Sequence, residues 1–170
     1  LYALEAIRLI YKYLPVAVAD GKNLKARAKV AWASTLAGMV EATSSCTSEH
    51  SLEHAMSAYY PQLPHGAGLI ALSEAYFETF RHDCTKRYMK MAEMMLQKKS
   101  CRPSEFLDAL VTLQKGCGVR HIKLSEYGIQ PEDFPKFVQN ARDTMGGLFT
   151  LDPRPITDEE IMKIFEKSYK

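Results

Sequence analysis

The stretch EHSLEHAMSAYYPQLPHG, residues 49–66, carries three of the five histidines of the chain. His50 and His54 are four residues apart, so on an α-helix their side chains lie one turn apart on the same face. His65 follows a proline-containing break and is flanked by proline and glycine, which restrict how its imidazole is presented. Two histidines from a helix and a third from the next turn are a common way to bind a borderline transition-metal ion. The stretch therefore indicates a metal site, although the same pattern arises when the first histidine is a partly exposed helix residue and the last forms a turn.

Helical patterns continue on both sides of this stretch, and no segment shows the sustained period-two alternation that predicts a β-strand. Besides the helix that carries His50 and His54, helices are predicted at residues 1–14, 24–40, 69–80, 84–97, 103–115 and 131–144 and from 157 onward. His65 is expected at the N-terminal edge of the helix that follows it. These patterns predict an all-α fold, a helical bundle of about seven or eight helices without an internal repeat.

The helix predicted at 24–40 is apolar on nearly every side and consists largely of small residues. A helix that is apolar all round is buried, so this helix is expected at the centre of the bundle. Trp32, the only tryptophan of the chain, is accordingly expected in the core. Pro15 predicts that the first helix ends at Leu14 and that a loop follows.

The composition is that of an ordinary soluble globular protein and narrows the classes of function. Hydrophobic residues make up 46% and charged residues 25% of the 170 residues, a length typical of one domain. A net charge of +2 with scattered basic residues gives no basis for binding nucleic acid or a membrane surface. No apolar run approaches the ~20 residues that a membrane-spanning helix needs. The four cysteines lack Cys-x-x-Cys spacing, which is typical of reduced thiols in a cytoplasmic protein rather than of a disulfide framework.

The order Glu-His-x-x-x-His followed by Leu-Pro-His-Gly-Ala-Gly-Leu resembles the signature of the iron-containing alcohol dehydrogenase family, in its C-terminal helical domain. The usual family pattern has His-x-x-x-His, about nine residues, and then His-Gly. Here ten residues separate His54 from His65, and the extra residue is expected in the turn at 57–62. The similarity also covers residues 31–39 and 140–160, the latter with Asp-Pro-Arg-Pro-Ile-Thr. The resemblance implies a dehydroquinate synthase-like C-terminal α domain.

The resemblance also implies a role for each of the three histidines. In that family the first histidine of the helical pair and the histidine of Pro-His-Gly bind a divalent metal ion. These are His50 and His65 here, with Fe²⁺ as the favoured ion and Zn²⁺ as the alternative. The second histidine of the pair lies beside the metal, near the alcohol and the nicotinamide, so His54 is expected to move a proton, for which an imidazole is suited. The alternative for His54 is that it holds His50 or Glu53 in place.

Other residues near the histidines are candidates for supporting the site. Cys46 lies one turn before His50, where a thiolate ligand is conceivable and a small buried thiol is the simpler interpretation. Glu49, Glu53 and Glu74 are each able to hydrogen-bond an imidazole, and the sequence does not choose among them. The remaining histidines stand among charged residues and are expected at the surface: His82 and His121.

Two parts of the family's active site do not occur in these 170 residues. The family supplies an aspartate and, four residues later, another histidine, on a helix upstream of the segment that matches Leu1, and a catalytic metal needs at least three protein ligands. The sequence also contains no Gly-x-Gly-x-x-Gly and no parallel-strand pattern of a nucleotide-binding domain. The resemblance therefore implies that residues 1–170 are a single all-helical metal-binding domain, truncated at its N-terminus, whose partner is the missing N-terminal nucleotide-binding domain.

On this interpretation the intact enzyme interconverts a small alcohol and an aldehyde or ketone with NAD or NADP. It is expected to be a cytoplasmic homo-oligomer, and the chain alone is expected to be inactive. Two alternatives stay open. One is glycerol dehydrogenase or dehydroquinate synthase of the same superfamily, although Ala67-Gly68-Leu69 disfavours the synthase, which is expected to carry a glutamate soon after His-Gly. The other is a helical interaction module without chemistry. Neither the alcohol nor the choice between NAD and NADP is determined, because the selecting residues lie largely in the other half.

Overall fold

The computed structural model of the chain describes residues 1–169 and confirms the predicted all-α fold. Among these residues there are eight α-helices and no β-strand, and no helix has both the length and the hydropathy that crossing a bilayer requires. The helices are α1 (Tyr2–Ala19), α2 (Leu24–Ser44), α3 (Ser48–Tyr59), α4 (His65–Thr79), α5 (Thr85–Leu96), α6 (Pro103–Gly116), α7 (Phe134–Met145) and α8 (Asp158–Ser168). Short 3₁₀ helices lie at Leu124–Tyr127, Pro131–Asp133 and Gly146–Leu151.

The chain divides into two compact units. The first unit consists of Leu1–Ser45 and Cys84–Val119 and contains α1, α2, α5 and α6. The second unit consists of Cys46–Asp83 and the residues from Arg120 onward, and it contains α3, α4, α7 and α8. All three histidines of the 49–66 stretch belong to the second unit.

In the second unit, one face of α3 packs into an aromatic core. Leu52 and Met56 have no exposed surface and share a hydrophobic cluster with Phe134, Phe137 and Phe165. The ring of Phe165 lies 5.5 Å from that of Phe134 and 5.6 Å from that of Phe137, between ring centroids. Because burying one such side chain contributes about 1.5–3 kcal/mol, this face anchors α3. The histidines of α3 lie on the other side of the helix.

In the first unit, α2 is exposed over most of its surface, so the prediction that it is a fully buried central helix is wrong. Its buried residues are Ala26, Ala33 and Leu36, a single stripe, and the latter two pack with α1. Trp32 is 52% exposed and does not lie in the core. Alanine is the best helix former as well as a small core residue, so an alanine-rich sequence indicates a helix without indicating which sides are covered.

The first helix runs through Pro15 to Ala19 and does not end at Leu14. A proline inside a helix removes one backbone hydrogen bond and crowds the preceding turn, but the helix resumes beyond it, since the Asp20 N–H donates to the Val16 carbonyl at 2.9 Å. The pyrrolidine ring packs closely against Gly116, where an added Cβ would lie 3.4 Å from the Pro15 Cγ. This tertiary contact gives the ring a packed position that local sequence does not reveal.

Candidate metal centre

The start of α3, which carries His50 and His54, is held by a carboxylate from far along the chain. Asp152 accepts hydrogen bonds from the Ser48 backbone N–H at 3.0 Å and from the Ser48 hydroxyl at 2.6 Å. The hydroxyl of Tyr76 in α4 also donates to Asp152, at 2.8 Å, and burial raises the pKa of Tyr76 far above its ordinary value, which keeps it a donor. A carboxylate at this position satisfies free N–H groups and complements the positive end of the helix dipole.

The start of α4 places His65 opposite α3. Pro64 occupies the N-cap position, and its carbonyl accepts from the N–H groups of Ala67 at 2.9 Å and Gly68 at 3.1 Å. His65 is therefore the first residue of α4, as predicted. The turn before His65 is held in place by Leu63, which is 2% exposed and packs into the core of the second unit. A tight, anchored turn is what brings the third histidine back to the helical pair.

The structure brings together the three histidines singled out by the sequence. The ring centroids of His50 and His65 are 5.2 Å apart, those of His54 and His65 are 5.2 Å apart, and those of the helical pair are 6.3 Å apart. One ligand atom from each of the three lies within 4.8 Å of the others. His50 is partly buried, whereas His54 and His65 are exposed. The remaining histidines are exposed and outside this cluster, as expected: His82 and His121.

Glu53, one of the three acids proposed to support an imidazole, contacts a histidine of the cluster. Its carboxylate has no exposed surface, and one oxygen is hydrogen-bonded to Nδ1 of His65. The other oxygen accepts a hydrogen bond from the hydroxyl of Ser57, one turn along α3. Glu74 instead pairs with Arg120 at 3.1 Å. A carboxylate on the second ring nitrogen is the usual outer partner of a metal-binding histidine.

Glu49 is a buried acid of a different kind. It lies beside His50 in the first turn of α3, is only 9% exposed, and its Oε1 has no hydrogen-bond partner among the described residues. Burial disfavours the charged carboxylate and raises the pKa of Glu49 to about 8. At neutral pH this side chain is therefore mainly the neutral acid, and it adds little negative charge beside the histidines.

The donor set of the cluster fits a divalent transition-metal ion. Neutral imidazole nitrogens suit iron and zinc, and ligand atoms within 4.8 Å of one another are close enough to converge on one ion. Because Glu53 is hydrogen-bonded to Nδ1 of His65, Nε2 is the ring nitrogen that this contact leaves available for a metal ion. Cys46 is partly buried and is not a member of the cluster.

The comparison with known protein families agrees with this geometry. The model for the C-terminal part of the Fe-containing alcohol dehydrogenase family matches residues 1–169. The chain belongs to the iron-containing alcohol dehydrogenase family. The resemblance seen in the 49–66 stretch is thereby confirmed for the chain as a whole.

Individual members of the family match this chain along almost all of its length. Long-chain primary alcohol dehydrogenase AdhA of Thermoanaerobacter ethanolicus is 32% identical over 176 residues, covering 99% of this chain and 43% of the relative. Alcohol dehydrogenase 4 of Saccharomyces cerevisiae is 30% identical over 170 residues, with the same two coverages. The solved structure of an archaeal halo-thermophilic alcohol dehydrogenase from a Red Sea brine pool has a TM-score of 0.92 at 31% identity, covering 98% of this chain and 43% of that one. The chain thus spans less than half the length of these alcohol dehydrogenases.

Sequence reasoning did not find the residues that support the cluster from α4 and from the segment before α8. Asp152 lies within the Asp-Pro-Arg-Pro-Ile-Thr segment, but nothing in its spacing connects it with Ser48, 104 residues away. Gly68 follows His-Gly closely in the sequence, but nothing in the sequence indicates that it lies against Glu53. Ser57 did carry a signal, because it lies four residues after Glu53 and therefore on the same helix face.

Proposed function

We propose that this chain is the metal-binding part of an alcohol dehydrogenase that interconverts an alcohol and an aldehyde or ketone with NAD or NADP. The observation that carries the proposal is the convergence of His50, His54 and His65, with ligand atoms within 4.8 Å of one another, in a chain of this family. A nucleotide-binding domain outside these residues would hold the cofactor. The proposed substrate is an alcohol, as the family description and the names of both relatives suggest, one of which is named for long-chain primary alcohols.

His50 and His65 are the proposed metal ligands within this chain. Fe²⁺ is the preferred ion because the family is described as Fe-containing, and Zn²⁺ is the alternative because imidazole nitrogen suits both ions. A divalent ion held there supplies Lewis-acid chemistry at a substrate oxygen. The two rings come from different helices, α3 and α4, so the turn before Pro64 sets the distance between them. The remaining ligands, an aspartate and a histidine, would come from outside residues 1–170.

His54 is proposed to move the proton of the substrate hydroxyl. Its ring lies one helical turn from His50 and 5.2 Å from the ring of His65, measured between centroids, and its side chain is exposed. A neutral imidazole in that position can accept a hydroxyl proton and pass it to water. The same short distances would also let His54 act as a third ligand, and variants of the three histidines distinguish these roles.

The test compares single alanine variants of the three histidines in the complete enzyme that contains this chain. His50→Ala and His65→Ala should lose the metal and the activity together. His54→Ala should keep the metal and lower the rate by ~10²–10⁴-fold, because proton transfer is impaired. Metal content by elemental analysis and turnover as a function of pH are the measurements, with His121→Ala as the exposed control that changes neither. A metal-free His54→Ala together with a metal-loaded His50→Ala would reverse the assignment.

We further propose that the enzyme is a cytoplasmic homo-oligomer and that the 170-residue chain alone does not transfer hydride. The four cysteines, all among the described residues, form no disulfide with one another, which suits a reducing compartment. The purified chain, incubated with NAD⁺ or NADP⁺ and a panel of primary alcohols, should produce no reduced cofactor. Production of NADH or NADPH above the protein-free rate would contradict this.

A further inference from the structure

Glu53 is completely buried, although its side chain is a carboxyl group that can carry a negative charge. Its side chain has no exposed surface, and a carboxylate in such a place is costly unless hydrogen bonds satisfy it. Here each oxygen has one partner: the Ser57 hydroxyl on one side and Nδ1 of His65 on the other. The carboxylate therefore joins α3, which carries it, to the first residue of α4.

The backbone of α4 leaves room for this side chain at one position. A Cβ built on Gly68 would lie 2.7 Å from Cγ and 2.9 Å from Oε1 of Glu53, far inside van der Waals contact. Gly66, two residues earlier, has nothing within 4 Å of such a Cβ. Gly68 thus forms a cradle that admits the Glu53 carboxylate between the two helices.

The contact with Glu53 engages one of the two ring nitrogens of His65, Nδ1. His65 is the first residue of α4 and its side chain is 51% exposed. The helix backbone therefore leaves the ring free to rotate. A carboxylate that accepts a hydrogen bond from Nδ1–H favours the tautomer with an unprotonated Nε2. In a free histidine side chain the opposite tautomer, with the proton on Nε2, predominates.

We propose that Glu53 is a positioning residue: its carboxylate selects the Nδ1–H tautomer of His65 and holds the ring so that Nε2 is presented to the His50–His54 side of the cluster. The value of this arrangement for metal binding rests on the function proposed above. Glu53 and His65 both lie in this chain, so their contact can be measured without the rest of the enzyme and without a metal ion.

Glu49 provides a matched control for Glu53. It lies four residues earlier on α3, is also buried, and is also next to a histidine of the pair, but the contact with Nδ1 of His65 is made by Glu53. Methionine is the replacement at both positions, because it is unbranched, similar in length to glutamate and lacks carboxylate oxygens. Glu53→Met thus removes the acceptor for His65, whereas Glu49→Met removes a buried acid of the same helix without touching that contact.

The first measurement is the tautomer of His65 in the metal-free chain, from the ¹⁵N chemical shifts of its ring at about pH 9, where free imidazole is neutral. The wild type and Glu49→Met should show Nδ1–H, and Glu53→Met should shift towards Nε2–H. If Glu53→Met does not fold, Glu53→Gln replaces it, and its weaker amide acceptor should lower the Nδ1–H fraction. An Nε2–H tautomer in the wild type, or a tautomer unchanged in the Glu53 variants, would overturn the proposal.

The second measurement is the affinity of the same chains for Zn²⁺ alone, by competition with a chromophoric chelator. Loss of a carboxylate partner of a metal-binding histidine typically weakens binding ~10–100-fold, which is the expected effect of Glu53→Met. Glu49→Met should stay within about 2-fold of the wild type, since the contact with His65 is intact. Equal losses in both variants would contradict a positioning role. A wild-type chain that binds no Zn²⁺ would count against the proposed metal site, while the tautomer would still decide the role of Glu53.

Discussion

Gly68 lies where the backbone of α4 passes close to the side chain of Glu53. Replacing it with alanine places a methyl group 2.7 Å from Glu53 Cγ, and that side chain is already held by Ser57 and His65. Forcing an extra methyl group into a packed site typically costs 1–3 kcal/mol, so Gly68→Ala should lower the free energy of unfolding by about that much. Urea denaturation followed by circular dichroism is the measurement.

Gly66→Ala is the matched control for Gly68→Ala. It adds the same methyl group in the same helix, where nothing lies within 4 Å. Alanine is favoured over glycine in a helix by up to about 1 kcal/mol, so this variant should be neutral or slightly stabilised. Equal destabilisation by both variants would show that the cradle around Glu53 is not the cause.

Glu49 gives the stability of the chain a pH dependence with a definite sign. Its pKa is about 8 in the folded chain, against 4.5 for the ordinary carboxyl group. Between these pH values Glu49 is protonated in the folded chain and ionised in the unfolded chain. Its contribution to the free energy of unfolding is therefore fully present below about pH 4.5 and is lost as the pH rises to about 8. Glu49→Gln removes this titration. The variant should therefore gain stability over the wild type across that window, by a few kcal/mol in order of magnitude.

The measurement for Glu49 is the difference in unfolding free energy between Glu49→Gln and the wild type, in metal-free buffer from pH 4 to 9. The control is Glu132→Gln, at an exposed position of the same unit. Its unfolding free energy should change with pH in the same way as that of the wild type. A difference that is flat with pH, or that shrinks as the pH rises, would contradict the raised pKa.

At the scale of a secondary-structure element, α3 depends on Asp152 for its first turn. The carboxylate accepts from the backbone and hydroxyl of Ser48 and from Tyr76. Removing a helix cap costs about 0.5–2 kcal/mol, and buried donors left short of a partner cost more. Asp152→Ala should therefore lower the unfolding free energy by roughly 2–3 kcal/mol, and Asp152→Asn by less, since the amide keeps one acceptor oxygen.

The control for Asp152 is Asp143→Ala. Asp143 is exposed on α7 and accepts hydrogen bonds from Gln139 at 2.9 Å. Exposed substitutions of this kind usually change stability by less than about 0.5 kcal/mol. Chemical denaturation of the three variants and the wild type decides the matter, and an Asp152→Ala loss no larger than that of Asp143→Ala would count against the cap.

At the scale of the whole molecule, the first unit has an apolar outer surface. Most of the large hydrophobic residues that are exposed lie in or beside α1 and α2: Leu1, Tyr2, Val16, Val18, Leu24, Trp32 and Met39. Trp32 and Met39 are seven residues apart and therefore share one face of α2. An exposed apolar face of this kind favours association, so the purified chain is expected to self-associate through it.

Trp32→Gln combined with Met39→Gln should weaken self-association at least ~10-fold, because covering each apolar side chain contributes about 1.5–3 kcal/mol. Sedimentation velocity over a concentration series measures this. Leu151→Gln alters a residue of the second unit that is exposed to the same 45% as Met39, and it should leave association unchanged. A monomer at every concentration in the wild type would disprove the expectation.

Several features of this protein follow from local sequence. The capping box at Thr157 and Glu160 was predictable because both partners lie within one turn, and the structure has it at the start of α8. The apolar stripe of α7 was predictable because its spacing is helical, and Phe134, Phe137, Val138 and Ala141 are all buried. In the same way the four-residue spacing of His50 and His54 placed both on one face of α3.

The sequence by itself therefore determined the all-α fold, the three-histidine cluster and the family, since helical periodicity, capping residues and a compact motif are all local. Only the tertiary structure decided which acid supports the cluster and which sides of α2 are covered. Glu53, Glu49 and Glu74 are equivalent as residue types, and the close approach of α4 at Gly68 is what brings His65 to Glu53. Whether an apolar side chain such as Trp32 is buried depends on which elements pack beside it, and that contact is not encoded within its own helix.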